Sequence, residues 1–248
     1  MNPILYVENM TGGYRKNRPI IHDVSFSVYP EEMVGLIGLN GAGKSTTIKH
    51  ILGLLTPTAG TVRINGTALT DDPKKYRSAY SYVPENPLVY DDLTLREHLE
   101  FTAMAYGIDR DTFTARSEML VDEFRMKDRL DTFPRHMSKG MRQKMMIMNA
   151  FLVQPSLYMI DEPFLGLDPL GIRSLLELMV RMKKTGAGIL MSSHILSTVE
   201  RYCDKFVVLH QGRVCASGTL ADLRRQTGLM NGSLDDIFYE LTKEEDKA

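Results

Sequence analysis

Gly38-Leu39-Asn40-Gly41-Ala42-Gly43-Lys44-Ser45-Thr46 satisfies the pattern G-x-x-x-x-G-K-[ST], a phosphate-binding loop. Just before it, Met33-Val34-Gly35-Leu36-Ile37 is short and apolar, as a buried parallel strand is. After it, residues 46–55 mix apolar and polar side chains at helical spacing. Strand, glycine turn and helix are the context that makes the pattern a site. Gly38, Gly41 and Gly43 allow backbone conformations closed to other residues, so successive N–H groups can face phosphate oxygens. The following helix adds the partial positive charge of its first turn. Lys44 supplies a mobile cation for the β- and γ-phosphates, and the Ser45 hydroxyl suits Mg²⁺. The stretch reads as a binding site for a nucleoside triphosphate.

The surrounding chain of 248 residues is long enough for one large domain, or for a domain with an inserted lobe. Its formal net charge of −1 leaves no basic footprint for nucleic acid, so no nucleic-acid partner is expected. No apolar run approaches the roughly 20 residues of a spanning helix, and the start lacks a charged-then-apolar signal segment. A cytoplasmic chain is the expectation. Cys203 and Cys215 do not make a disulfide framework or a metal site and read as small apolar fillers.

Before the loop, residues 4–8 read as a strand, followed by a turn at Thr11-Gly12-Gly13, and residues 24–29 alternate as a half-buried antiparallel strand does. Pro57 to Gly60 breaks the chain after the first helix, and residues 61–64 resume as a strand. From Pro84 the character changes. Helical stretches are expected at 95–106, 112–124 and 138–152, so residues 86–154 form a helical lobe inserted into an α/β domain. Met141, Met145 and Met148 fall on one face of the last helix, either a core stripe or an adaptable docking surface. Strands at 157–160 and 189–191 flank a helix at 170–183, and His210-Gln211-Gly212 turns a hairpin between 206–209 and 213–216. Residues 1–230 are read as one domain, followed over 231–248 by an amphipathic helix at 234–241 and a solvated, frayed mixed-charge tail at 243–247.

Two further groups carry chemistry. Leu157-Tyr158-Met159-Ile160-Asp161-Glu162 is an apolar strand ending in two carboxylates, and strand ends are where parallel sheets put their ligands. Asp161 is expected to hold Mg²⁺, directly or through water. Glu162 is expected to take a proton from, or orient, the water that attacks the γ-phosphate. Ser192-Ser193-His194 follows a neighbouring apolar strand, and His194 is expected to bond the γ-phosphate and sense its presence.

These motifs, with the turn Gly166-Leu167-Asp168, together resemble the ATPase subunit of ABC transporters. Met137-Ser138-Lys139-Gly140-Met141-Arg142-Gln143-Lys144 is similar to that family's signature, L-S-G-G-Q, and stands ahead of Asp161 where the family has it. The runs at 35–40, 133–134, 138–141 and 164–169 narrow the resemblance to one bacterial transporter within the family. The resemblance spans essentially the whole chain. It implies the P-loop NTPase fold of ABC ATPases: an α/β RecA-like core, an antiparallel β-subdomain and an inserted α-helical subdomain.

The resemblance also implies a head-to-tail homodimer with two ATP molecules at its interface. Each nucleotide would meet the phosphate loop of one copy and Ser138 and Gly140 of the other. Ser138 suits that place, because a capped helix start offers a hydroxyl, N–H groups and a partial positive charge. Asp168 would lie in the loop that couples the two sites, and Tyr14 aligns with the aromatic residue that stacks on adenine. Two departures stand out. Lys139 replaces a signature glycine, where it could approach phosphate or point to solvent, and Met141 replaces the glutamine. Glu85 replaces the glutamine that senses Mg²⁺ at the lobe junction; a carboxylate can bind the metal but adds charge beside the γ-phosphate.

The expected function is that of an ATP-hydrolysing subunit at the cytoplasmic face of the membrane, driving a multi-span membrane subunit through the groove near Glu85 to Leu95. Export is expected over import, from the resemblance and from the short sequence after residue 240. The alternative is a regulatory or non-transport ABC ATPase with weak hydrolysis.

Overall fold

The computed structural model describes residues 2–245; Asp246 and Lys247 of the expected frayed tail lie outside the described residues. Residues 243–245 of that tail are helical instead, the end of a helix that runs past 241 to Glu245. Two sheets organise the chain. β1 (Leu5–Gly12), β2 (Ile21–Val28) and β4 (Ala59–Ile64) form an antiparallel sheet in the order β2-β1-β4. The second sheet has six strands. They are β3 (Met33–Ile37), β5 (Tyr80–Val83), β6 (Leu157–Asp161), β7 (Gly188–Ser192), β8 (Lys205–His210) and β9 (Arg213–Gly218), in the order β5-β6-β7-β3-β8-β9. All its pairings are parallel except β8 with β9.

The inner strands are apolar between their ends because both faces are covered, as parallel strands require. Along β6, Leu157 and Met159 enter a core shared with the antiparallel sheet, whereas Tyr158 and Ile160 enter the core under the helices. The alternation repeats on β7, where Leu190 joins the first core and Ile189 and Met191 the second. This period of two, with no polar position spared, is why the runs look continuous in sequence.

Nine α-helices, with short 3-10 turns at Lys127–Arg129 and Pro134–His136, complete the described fold. α1 (Lys44–Ile51) follows the phosphate loop, and α2 (Pro73–Ser78) leads into β5. α3 (Leu95–Tyr106), α4 (Arg110–Glu123) and α5 (Lys139–Val153) lie between β5 and β6; α6 (Pro169–Lys184) and α7 (Leu196–Tyr202) flank β7; α8 (Leu220–Thr227) and α9 (Leu234–Glu245) close the chain. Thr94 caps α3 in a reciprocal capping box with Glu97, and Ser138 caps α5 by accepting from the Met141 amide at 3.2 Å.

The differences from expectation have local causes. β1 runs on through Gly12, so the expected turn at Thr11 to Gly13 begins later. α1 stops at Ile51, short of Leu55, because Gly53 turns the chain with φ of +73°. α2 and β5 were not anticipated, although Asp72 before Pro73 is a helix start and Tyr80 to Val83 alternates in burial. Met145 and Met148 are fully buried and Met141 packs against the same core, which favours the core stripe. Cys203 and Cys215 are both partly buried, as small fillers are.

β3, β6 and β7 run parallel, with Leu36 beside Ser192 and Ser192 beside Asp161. The phosphate loop, Glu162 and His194 therefore all leave the sheet at one edge.

Candidate functional site

The loop between β3 and α1 is held tightly. A Cβ on Gly38 would lie 2.5 Å from the Leu209 carbonyl oxygen, and Gly43 adopts φ of +108° with the Ile21 side chain 2.8 Å from where a Cβ would stand. Side chains are excluded at both, so the backbone itself forms the cradle. The Ala42 N–H donates to the Leu39 carbonyl at 3.1 Å. Ala42 and Gly38 shape the loop from behind. Leu39, Asn40, Gly41, Gly43, Lys44, Ser45 and Thr46 line a cleft of 680 Å³.

Lys44 curls back over its own loop. Its Nζ donates to the Gly38 carbonyl at 2.8 Å and to that of Leu39 at 3.4 Å, and lies 3.8 Å from Glu162 Oε1. Glu162, Glu85 and His194 line the same cleft, and Tyr14 stands at its rim, 57% exposed.

The two carboxylates at the end of β6 part company. Asp161 is 3% exposed, accepts from the Ser192 hydroxyl through Oδ1, and stays under the sheet edge. It is not among the residues that line the cleft. Glu162 takes a left-handed conformation, φ +46°, with its N–H shared between the Ser192 carbonyl (3.1 Å) and hydroxyl (3.2 Å). A non-glycine residue in that region costs of order 1–3 kcal/mol, and such strain clusters where a side chain must be aimed. Here it turns the chain so that neighbouring carboxylates face different surroundings.

His194 fixes the Glu162 carboxylate. Its ring Nδ1 lies 2.7 Å from Glu162 Oε2, and its backbone N–H donates to the same oxygen at 3.3 Å. An ionised carboxylate only accepts, so Nδ1 carries the proton and Nε2 is left for the cleft. Serine 192 was not singled out from sequence. It bonds both carboxylates' positions at once, and its place at the end of an apolar strand was the available signal.

Tyr14 lies beyond β1, beside a tight turn closed by the Arg15–Arg18 bridge. Its hydroxyl accepts from Lys49 Nζ at 3.0 Å. The Lys49 hydrogen bond, aided by Thr46, holds the Tyr14 phenol below the usual tyrosine range.

Ser138, Gly140 and Asp168 do not line the cleft. They come together elsewhere. A Cβ on Gly140 would lie 2.3 Å from the Gly166 carbonyl oxygen, and Lys144 Nζ is 3.1 Å from Asp168 Oδ2. Asp168 also caps α6 by accepting from the Gly171 N–H at 2.7 Å. Gln143, buried on α5, donates to the Pro84 carbonyl at 3.4 Å, next to Glu85.

A family model described as "ABC transporter" matches residues 21–165, the span that holds the phosphate loop, the signature segment and Asp161-Glu162. The chain belongs to the ABC transporter family. It is similar to the ABC-type transporter ATP-binding protein EcsA of Bacillus subtilis (strain 168), 57% identical over 98% of each chain. That is the transporter which the runs at 35–40 and 164–169 resemble. The uncharacterized ABC transporter ATP-binding protein YthP of the same organism is 39% identical over 97% of each. A solved structure of the ATP binding subunit of an ABC transporter is 56% identical, covers 96% of this chain and 99% of that one, and superposes with a TM-score of 0.94.

This ABC ATPase has the P-loop ABC fold, binds nucleotide and hydrolyses ATP. Subunits of this kind work with membrane subunits in transporter complexes. Among the described residues, no helix is long and apolar enough to cross a membrane.

Proposed function

We propose that two copies of this chain close head to tail around two ATP molecules, hydrolyse them, and drive export through an EcsB-like multi-span membrane subunit at the cytoplasmic face of the cell membrane. One observation carries the reading. Ser138, Gly140 and Asp168 are built into a single surface through the Gly140–Gly166 and Lys144–Asp168 contacts, yet that surface lies outside the chain's own phosphate cleft. A serine-capped helix start that lies outside its own chain's cleft suits the nucleotide of a second copy.

Within the cleft, Tyr14 stacks on adenine, the amides from Leu39 to Thr46 cradle the phosphates, and Lys44 moves from the loop carbonyls to the β- and γ-oxygens. Glu162 accepts a proton from water as the water oxygen bonds the γ-phosphorus. The bond from that phosphorus to the bridging oxygen breaks, leaving ADP and phosphate. His194 orients Glu162 through Nδ1 and offers Nε2 to the γ-phosphate.

Ser45 and Glu85, which line the cleft, would hold Mg²⁺, and Asp161, buried beneath it, would reach the ion through water. No three His, Cys, Asp or Glu side chains cluster as a metal site among the described residues. That suits an ion bound by one or two carboxylates with substrate phosphates and water. When bound, Mg²⁺ offsets the negative charge of the phosphates. The residue 86–154 lobe passes closure to the membrane subunit through the groove near Glu85, to which Gln143 ties the signature helix.

The test is Glu162→Gln in the full-length protein, followed by light scattering on a sizing column. With Mg-ATP, the mass is expected to double and the dimer to persist. A mass that stays at one copy, even with the membrane subunit present, overturns the reading.

A further inference from the structure

Lys49 lies in the last turn of α1, on the helix that Lys44 begins. Its ammonium is 3.0 Å from the Tyr14 hydroxyl oxygen and 5.2 Å from the ring centroid. Those two distances put the cation at the hydroxyl end of the ring rather than over its centre, and Tyr14 still lines the cleft. Among the described residues, Lys49 has no carboxylate partner to draw it away. Tyr14 itself is exposed, beside a turn that carries Arg15, Lys16 and Arg18. An unsupported tyrosine there would sample several rotamers and have to be ordered by each incoming ligand.

We propose that Lys49 is a positioning residue: it tethers the Tyr14 ring to α1, so that the adenine platform and the phosphate cradle move as one rigid unit. The inference rests on the reading that Tyr14 stacks on adenine. Thr46, at the start of the same helix, joins Lys49 in lowering the phenol pKa. The helix thus holds both ends of one ligand. Its first turn faces the phosphates and its last turn fixes the ring that receives the base. Preorganisation of this kind spares the cost of freezing one side chain on binding, worth roughly two- to tenfold in affinity.

The experiment measures ATP and inorganic tripolyphosphate affinity by calorimetry on full-length Lys49→Met, Tyr14→Phe and the double variant. Each single change is expected to weaken ATP by roughly two- to tenfold. The double variant is expected to be no weaker than either, because one hydrogen bond is lost in all three. Tripolyphosphate affinity is expected to be unchanged, and Lys49→Arg should restore ATP binding. Parental ATP affinity in Lys49→Met, losses that multiply in the double variant, or an equal loss of tripolyphosphate would each overturn the tether. Tyr14→Ala separates the two layers. If it binds ATP as the parent does, the adenine platform itself fails; if it weakens ATP while Lys49→Met does not, only the tether fails.

Discussion

The Lys44 ammonium and the Glu162 carboxylate stand 3.8 Å apart, with side chains only 7% and 10% exposed. That separation exceeds the ~2.7–2.9 Å of a charge-assisted hydrogen bond, so the pair is held by charge rather than by a shared proton. Each partner is anchored from the other side, Lys44 by the Gly38 carbonyl and Glu162 by His194. The lysine proposed to meet the phosphate and the carboxylate proposed to activate water therefore stand side by side in the cleft, where the proposed γ-phosphate would draw the lysine away.

Lys44→Met should abolish tight ATP binding. Among the described residues, Lys44 is the one lysine or arginine that lines the cleft, and losing one partner of a buried hydrogen-bonded charge pair, here ammonium and phosphate, costs roughly 2–5 kcal/mol. Fluorescent-nucleotide titration checks this; an affinity within twofold of the parent contradicts the phosphate role of Lys44.

His194 and Glu162 should behave as one unit. Glu162→Gln is expected to lower turnover by about 10²–10⁴ while nucleotide affinity is kept. His194→Ala should also lower turnover, but adding it to Glu162→Gln should cost little more, because the histidine acts largely through the carboxylate it orients. Steady-state phosphate release on the three variants decides it. Losses that multiply would give His194 an independent role.

Much of this was legible in the chain, for physical reasons. A phosphate loop must place its glycines, lysine and serine contiguously, so residues 38–46 declare the site and β3 beside it. Strands buried on both faces take apolar residues up to their last position, which is why β6 and β7 stood out. The contacts that aim the side chains were not legible. Ser192 under Asp161, Lys49 against Tyr14 and Gln143 against Pro84 join residues far apart in sequence, and serine, lysine and glutamine are common on any surface. The left-handed backbone at Glu162 was equally hidden, since glutamate gives no hint of it.

Gly140→Ala should destabilise the protein although it adds a better helix former. Alanine gains up to about 1 kcal/mol over glycine within a helix. Its Cβ, however, would lie 2.3 Å from the Gly166 carbonyl oxygen, a backbone atom that cannot swing aside. Overpacking of this sort costs roughly 1–3 kcal/mol, so the clash wins. Urea unfolding should show a lower midpoint, and ATP turnover should fall as the start of α5 is pushed from the Asp168 loop. A raised midpoint would mean that the two segments are not in contact.

His50 should make stability depend on pH. It sits in the last turn of α1, 2% exposed, with Nδ1 3.1 Å from the Leu55 carbonyl oxygen. Nδ1 therefore carries the proton of the neutral ring and donates it. Nε2 is buried with no partner among the described residues. A second proton there would be an N–H with no acceptor, and burial accordingly holds the imidazole below its ordinary value. Above about pH 6.5 the ring is neutral folded or unfolded, and no penalty arises. Below it the unfolded chain takes up a proton that the folded chain refuses, so stability falls with pH until the folded ring charges as well. The slope from one such group reaches at most about 1.4 kcal/mol per pH unit. Asparagine at this position keeps an N–H for Leu55 but cannot titrate. The difference in unfolding free energy between the parent and His50→Asn should be constant above pH 6.5 and turn against the parent below it. A difference that stays level down to the acid limit of folding would show that the ring is charged in the native protein or reached by water.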